Sequence, residues 1–101
     1  MAKTALTRDE VLSQLRKHKP ELEKKFGVAT LALVGSVARD EASEDSDIDL
    51  MITFDQPATS KTFFGVQFYI EDLMDHPVDL ISEKYLKENR RSYFMTEAVY
   101  V

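Results

Sequence analysis

The sequence predicts a small α/β (α+β) protein in which helices flank a mixed β-sheet. Short apolar segments bounded by glycine or proline are typical of buried strands, and they occur at 28–34, 47–54 and 78–81. Longer stretches with apolar residues at helical spacing lie between and around them. The predicted order is therefore helix, strand, turn, strand, helix, strand, helix. With 101 residues, the chain is expected to form one domain over 1–101.

The first helix is predicted to begin after Thr7 and to end at Gly27. Thr7 and Glu10 have the spacing of a capping box, in which the threonine caps the helix and the glutamate reaches back. Glycine is the usual residue just past a helix C-terminus. Pro20 interrupts the apolar stripe, so either two short helices or one kinked helix is expected.

The helices after the second strand are predicted from the residues that cap or terminate them. Two stripes at helical spacing predict a helix over 59–75, which Pro77 ends. His76 is interpreted as a helix C-terminal residue, where a positively charged ring suits the helix dipole. Ser82 is the expected cap of a helix over 83–91, and a last apolar-rich helix is expected from 92 to the end.

Three groups of side chains have more than one interpretation. The aromatic residues of the helix at 59–75 are expected in the core rather than as a platform for stacking bases. The basic series near 84–91 is either a solvated helix face or a site for phosphates or an acidic partner. The apolar tail is either a docking surface or part of the core. These groups are Phe63, Phe64, Phe68 and Tyr69; Lys84, Lys87, Arg90 and Arg91; and Tyr93, Phe94, Met95, Ala98, Val99, Tyr100 and Val101.

Composition excludes several classes of function. The formal net charge is -5, from 13 basic and 18 acidic residues, which argues against general binding of DNA or RNA. There is no cysteine and there are only two histidines, so any metal is expected to be a hard, oxygen-bound Mg²⁺ or Mn²⁺. No apolar run is long enough for a membrane span and no secretory signal is visible, so a cytoplasmic location is expected.

Three aspartates form the candidate catalytic group. Asp47 and Asp49 are two residues apart on a predicted strand, so both side chains leave the same face, with Cα atoms ~6.5 Å apart. Asp79 joins them if its strand lies alongside. Convergent carboxylates repel one another unless a cation neutralises them, and such a group is suited to binding two metal ions. The alternatives are an acidic solvated loop for the first two and an ordinary strand-edge acid for Asp79.

A candidate phosphate site precedes the aspartates. Gly35 allows a phosphate to approach the backbone closely, and amides at the start of a helix attract anions. The Ser36 hydroxyl is suited to a terminal phosphate oxygen, and Arg39 would add positive charge one turn later. The alternatives are a simple turn for Gly35-Ser36 and a surface ion pair for Arg39.

These two segments together resemble a known protein family. Residues 33–39 (LVGSVAR) followed by 46–50 (SDIDL) are similar to the signature of the DNA polymerase β-like nucleotidyltransferases. The resemblance is strongest to the minimal nucleotidyltransferases (MNT) of prokaryotes, and it covers about residues 26–80. It implies the polymerase β-like fold, ATP as donor and Mg²⁺ as metal. It also implies that Asp47 and Asp49 are metal ligands and that Asp79 is a third carboxylate or general base.

Many members of this family are antitoxins that are paired with HEPN-domain ribonuclease toxins. In these members AMP is transferred to a tyrosine of the toxin, which silences its ribonuclease activity. The resemblance therefore implies a protein adenylyltransferase in a hetero-oligomer. Larger relatives carry a further domain that holds the acceptor, whereas a single domain is expected here. The acceptor is therefore expected to dock as a separate macromolecule, or a partner chain is expected to complete the site. The alternatives are a non-catalytic antitoxin that acts by binding and a small-molecule nucleotidyltransferase.

One residue departs from the family pattern. Many members have glycine after the arginine, where this chain has Asp40. An aspartate there is expected to alter the loop and to add negative charge near the phosphate site. The departure bears on turnover rather than on the fold.

Overall fold

A four-stranded mixed sheet organises the chain, in the order β3-β2-β1-β4. The computed structural model describes residues 6–43 and 45–101. β1 is antiparallel to both β2 and β4, whereas β2 and β3 are parallel, which confirms the expected mixed α+β fold. The elements are α1 (Arg8–Phe26), β1 (Val28–Val34), α2 (Gly35–Ala38), β2 (Ile48–Phe54), α3 (Ser60–Met74), β3 (Val78–Ser82), a 3-10 turn (Glu83–Tyr85), α4 (Glu88–Glu97) and β4 (Val99–Tyr100).

The two faces of the sheet bury different side chains. On one face, alternate strand residues such as Leu50 pack with α1 and α3 in the larger core cluster. On the other face, Ala32, Val34 and Met51 form a smaller cluster, which Phe94 and other C-terminal residues cover. Because side chains alternate along a strand, Asp49 shares this second face with Met51. The sheet therefore carries its polar residues on the face opposite α1 and α3.

Helix α1 is continuous across Pro20, so a single helix is present and the alternative of two short helices is excluded. Leu15 and Leu22 are fully buried on either side of the proline. Burial of each leucine contributes about 1.5–3 kcal/mol. The two leucines together offset the roughly 3 kcal/mol that an internal proline costs. The Thr7 hydroxyl accepts from the Glu10 amide at 3.2 Å and donates to the Glu10 carboxylate at 2.9 Å. Gly27 ends the helix with φ 73°, as predicted.

The C-terminal region differs from its prediction. Ser82 makes no side-chain cap hydrogen bond, and a short 3-10 turn follows it rather than a helix over 83–91. The only later helix in the described residues is α4, so the predicted last helix is present over 92–97 but does not reach the chain end. Beyond it lies β4, which pairs with Ala32 and Leu33 of β1. The Val101 amide also donates to Leu31 O at 2.9 Å. A two-residue strand is too short to show an alternating pattern, so β4 could not be predicted from periodicity.

The aromatic residues of α3 are only partly in the core. Phe63 and Tyr69 pack against the larger cluster, but Phe64 and Phe68 are 48% and 62% exposed. The buried stripe of α3 is centred on Val66 and Ile70, and residues on the other side of the helix cannot reach the sheet. The prediction of a wholly buried aromatic group was therefore wrong for Phe64 and Phe68, which stack on each other instead.

No helix within residues 6–43 and 45–101 has the length and apolar character needed to cross a membrane.

Asp40 links the loop after α2 to the start of α1. Its backbone is left-handed, with φ 59°, a conformation that glycine adopts freely and that aspartate tolerates better than most residues. Its carboxylate accepts a hydrogen bond from the Arg8 amide at 3.1 Å, one of the donors that the first turn of a helix leaves unpaired. Asp40 thus keeps a backbone conformation suited to glycine and directs its charge toward α1.

We predict that Asp40→Ala lowers the free energy of unfolding by about 2 kcal/mol, because it loses both this hydrogen bond and the tolerance of positive φ. Asp40→Asn keeps an acceptor oxygen and that tolerance, so it is expected to cost less than about 1 kcal/mol. Urea unfolding of the two variants beside the wild type measures the difference. Equal losses for both variants would contradict this role.

Candidate active site

Strands β2 and β3 bring two aspartates side by side. In the parallel register Asp49 lies opposite Asp79, on strands that are about 4.8 Å apart. Asp47 lies one residue before β2, which begins at Ile48 rather than at Asp47 as predicted. Asp47 and Asp79 are exposed, whereas Asp49 is half-buried. All three aspartates therefore lie at the end of the sheet where β2 and β3 begin.

The charge around Asp49 is strongly negative. Burial, followed by repulsion from Asp79, Asp47 and Glu97, raises the pKa of Asp49 to about 6, and Arg39 only partly opposes this shift. These effects require the carboxylates to lie within electrostatic reach of one another. The structure thus gathers the three predicted aspartates into one group, and their catalytic roles stay predictions.

A buried histidine fixes the segment that leads into β2. The His76 ring is almost fully buried, and its Nε2–H donates to the Ser46 carbonyl oxygen at 2.6 Å. Next to it, the Ile48 amide donates to Pro77 O at 3.0 Å. Asp47 lies between these two anchored residues. The interpretation of His76 as a residue for the helix dipole alone missed this contact, which joins residues 30 apart in sequence.

Gly35 lies in direct contact with Asp49. Its φ is +76°, and a Cβ built on it would lie 2.2 Å from Asp49 Oδ2 and 3.1 Å from Asp49 Cβ. Glycine is thus required here both by the backbone and by space. The Gly35 amide donates to Glu97 Oε1 at 3.2 Å. Ser36 follows at the half-exposed start of α2, where its carbonyl accepts from the Glu41 amide at 2.9 Å.

Arg39 lies on the same side as the Gly35 amide and forms two ion pairs. Its guanidinium donates to Glu97 Oε2 at 2.5 Å and to Glu41 Oε2 at 3.3 Å. The hydrogen bonds with Glu97 and Glu41 raise the pKa of Arg39, so it stays cationic at every relevant pH. Glu97 was not among the sequence-predicted site residues, because no local pattern connects α4 with a loop about 60 residues earlier.

The donor groups of this site fit a hard divalent cation. They are carboxylate oxygens, which Mg²⁺ and Mn²⁺ prefer, and the crowding that raises the pKa of Asp49 is a repulsion that a cation relieves. Within the described part of the chain, no three acidic or histidine side chains already lie close enough to hold one ion. Asp47, Asp49 and Asp79 would therefore have to rotate toward a bound ion.

We predict that Gly35→Ala destabilises the fold more than Gly27→Ala does. Both glycines have positive φ, but a Cβ at Gly27 meets nothing within 4 Å, so Gly27→Ala reports the backbone cost alone, about 1–2 kcal/mol. Gly35→Ala adds the clash with Asp49, at least about 1 kcal/mol more. Urea unfolding of both variants measures the difference. Equal losses in the free energy of unfolding would show that the Asp49 side chain moves aside without destabilising the fold.

We also predict that Asp49→Asn stabilises the metal-free protein at neutral pH. Because the pKa of Asp49 is raised from 3.8 to about 6, the folded wild type loses stability as the pH rises through that window. At pH 7 the variant should be more stable by about 1–2 kcal/mol, a value reduced for the partial exposure of the group. The gain should vanish below about pH 4.

The measurement is urea unfolding in the presence of EDTA from pH 4 to pH 7. Asp55→Asn, which changes an exposed aspartate just after β2, is the control and should show no such pH dependence. A gain for Asp49→Asn that is the same at both ends of the range would exclude this charge effect.

Comparison of the sequence with known proteins identifies a family. Residues 15–101 match the family model described as "Nucleotidyltransferase domain". A protein adenylyltransferase named MntA, from Thermococcus cleftensis, is 38% identical over 96 residues, which are 95% of this chain and 97% of the relative.

Solved structures extend the likeness to the fold. One protein named as a minimal nucleotidyltransferase is 32% identical, with a TM-score of 0.79 over 93% of this chain and 95% of its own. A second structure is that of a tri-AMPylated Shewanella oneidensis HEPN toxin in complex with an MNT antitoxin; it is 15% identical, with a TM-score of 0.58 over 92% of this chain and 66% of the other. At that identity it shows the fold alone. The chain therefore belongs to the nucleotidyltransferase domain family and, within it, to the minimal nucleotidyltransferases.

Proposed function

We propose that this protein transfers AMP from ATP to a tyrosine hydroxyl of a partner HEPN ribonuclease toxin, and that it thereby acts as an antitoxin. The observation that carries the proposal is the pairing of Asp49 with Asp79 beside Gly35. The relative from Thermococcus cleftensis, which this chain matches over nearly its whole length, is named for protein adenylylation. The toxin as acceptor is supported by the complex of an MNT antitoxin with an AMPylated HEPN toxin.

The loop at the start of α2 would bind the triphosphate. The Gly35 amide and the Arg39 guanidinium both already bond to an anionic group, the Glu97 carboxylate. Phosphate oxygens accept the same kinds of hydrogen bond. Because Gly35 has no side chain, a phosphate can approach this backbone closely. The Ser36 hydroxyl is suited to one further phosphate oxygen.

The aspartates would bind the metal, and one of them would accept the proton of the acceptor. Asp47, Asp49 and Asp79 would bind Mg²⁺ or Mn²⁺, which neutralises charge on the phosphates when it is bound. In the reaction, the tyrosine oxygen forms a bond to the α-phosphorus and the bond to the β-phosphate breaks, so pyrophosphate leaves. Asp79 is exposed and is suited to taking the proton of the tyrosine hydroxyl. The close approach of Asp49 to Gly35 would keep this carboxylate near the bound phosphates.

The acceptor would arrive on a separate chain that completes the site. In α4, which contacts the Gly35 loop through Glu97, Tyr93 and Met95 are exposed by 60% and 40%. Exposed aromatic and methionine side chains are enriched at protein interfaces. The apolar tail divides accordingly: Phe94 and Ala98 close the smaller core cluster, whereas Tyr93, Met95 and Tyr100 are available to a partner.

We predict that incubation with MgATP and a HEPN toxin increases the mass of the toxin by AMP units. Asp47→Asn and Asp79→Asn should each slow this transfer by at least about 10²-fold, because they remove charge that stabilises the transition state or the group that takes the proton. Mass spectrometry of the toxin measures it. Asp55→Asn is the matched control, and EDTA should stop the reaction of the wild type.

The other possible results of this assay would either indicate a different function or contradict the assignment of the aspartates. If the toxin is neutralised without any mass increase, and equally by Asp47→Asn, the protein acts by binding alone. If ATP is consumed with a soluble hydroxyl compound and no partner, the acceptor is a small molecule. If the variants modify the toxin as fast as the wild type does, the assignment of these aspartates is wrong.

A further inference from the structure

The Glu97 carboxylate bonds to both groups that would bind the phosphates. Oε1 accepts from the Gly35 amide at 3.2 Å, and Oε2 pairs with Arg39 at 2.5 Å. The two carboxylate oxygens of Glu97 thus accept hydrogen bonds from an amide and a guanidinium. In the proposed function these same two donors would bind two oxygens of one phosphate. The Glu97 side chain is only 12% exposed, whereas the Arg39 side chain is 38% exposed, so the carboxylate is shielded from solvent while the guanidinium remains accessible.

The same carboxylate makes the site less attractive to a polyanion. Glu97 contributes to the repulsion that raises the pKa of Asp49, so it adds negative charge to a group that already holds three aspartates. A triphosphate cannot share Arg39 with Glu97 without bringing further negative charge next to it. Binding and the Glu97 contact are therefore in competition.

The helix that carries Glu97 has few contacts with the rest of the protein: Phe94 packs against the smaller core cluster, and Arg91 pairs with Glu83. None of the residues of α4 is buried, and its N-cap residue Lys87 makes no side-chain capping hydrogen bond. The chain is anchored again immediately afterwards, where Ala98 joins the smaller core cluster and β4 pairs with β1. Few buried contacts mean a low cost of local rearrangement. Glu97 can therefore leave Gly35 and Arg39 while the sheet stays intact.

We propose that Glu97 is an internal anion that closes the nucleotide site, and that the triphosphate must displace it in order to bind. This inference rests on the proposed function, since it takes Gly35 and Arg39 as the phosphate-binding groups. It adds that the resting protein binds nucleotide below its intrinsic affinity, because only the fraction of molecules with Glu97 displaced is competent.

The test compares Glu97→Gln with the wild type by titration calorimetry, with inorganic tripolyphosphate and with MgATP as separate probes. The glutamine keeps the size and one acceptor oxygen but loses the charge, so the affinity for both probes should rise about tenfold. Glu83→Gln is the matched control. Glu83 also pairs with an arginine, Arg91, at 3.2 Å and is 15% exposed, and its removal should leave both affinities unchanged.

A second measurement uses the wild type alone. If tripolyphosphate displaces Glu97, hydrogen exchange of the backbone amides in the last turn of α4 should become faster when the probe is added. Slower or unchanged exchange would contradict displacement. Unchanged or weaker binding of tripolyphosphate by Glu97→Gln would also overturn the inference, since Glu97 would then help to hold Gly35 and Arg39 in their binding positions.

The transfer assay separates this inference from the proposed function. If the wild type adenylylates the toxin while Glu97→Gln binds tripolyphosphate no more tightly, the internal anion is refuted and the proposed function stands. If Glu97→Gln binds tripolyphosphate more tightly while neither protein transfers AMP, the internal anion stands and the proposed function fails.

Discussion

The parallel pairing of β2 with β3 is the constraint on which the site depends. Ile48 and Leu50 of β2, and Val78 and Leu80 of β3, are buried in the core beneath α1 and α3. Since side chains alternate, this burial forces Asp49 and Asp79 onto the opposite face, and the register places them side by side. A slip of one residue would put a carboxylate into the core. Apolar burial, which favours one register strongly, thus also aligns the charged groups.

The protein tolerates three carboxylates close together because they lie at its surface, in contact with solvent. Only Asp49 is half-buried, whereas its neighbours Asp47 and Asp79 are exposed, so solvent screens part of the repulsion among the three carboxylates. Arg39 supplies the nearest positive charge but shares it with two glutamates. If the proposed function holds, binding of a cation or displacement of one carboxylate would reduce the negative charge of the site, and either event would raise its affinity for phosphate.

The features that could be predicted from the sequence are those that depend on residues close together along the chain. The strand bounds of β1, the stop at Gly27 and the juxtaposition of Asp49 with Asp79 follow from local patterns and from the rule that short apolar runs pair into a sheet. The contacts of Glu97 and His76 could not be predicted, because each joins residues far apart along the chain and neither residue type is diagnostic. Strand β4 was missed for a related reason: two residues carry no periodicity, and only the free edge of β1 makes them a strand.

That pairing of β4 has a consequence for association of the protein with itself. An open strand edge is a template for pairing with other chains, and natural sheets protect such edges with short strands or covering segments. Here β4 pairs with Ala32 and Leu33 of β1, and the neighbouring Val101 amide donates to Leu31 O. The segment that shields this edge follows Glu97 directly, so opening of α4 beyond its last turn would expose β1 and invite aggregation. Solubility therefore limits how far this helix can move.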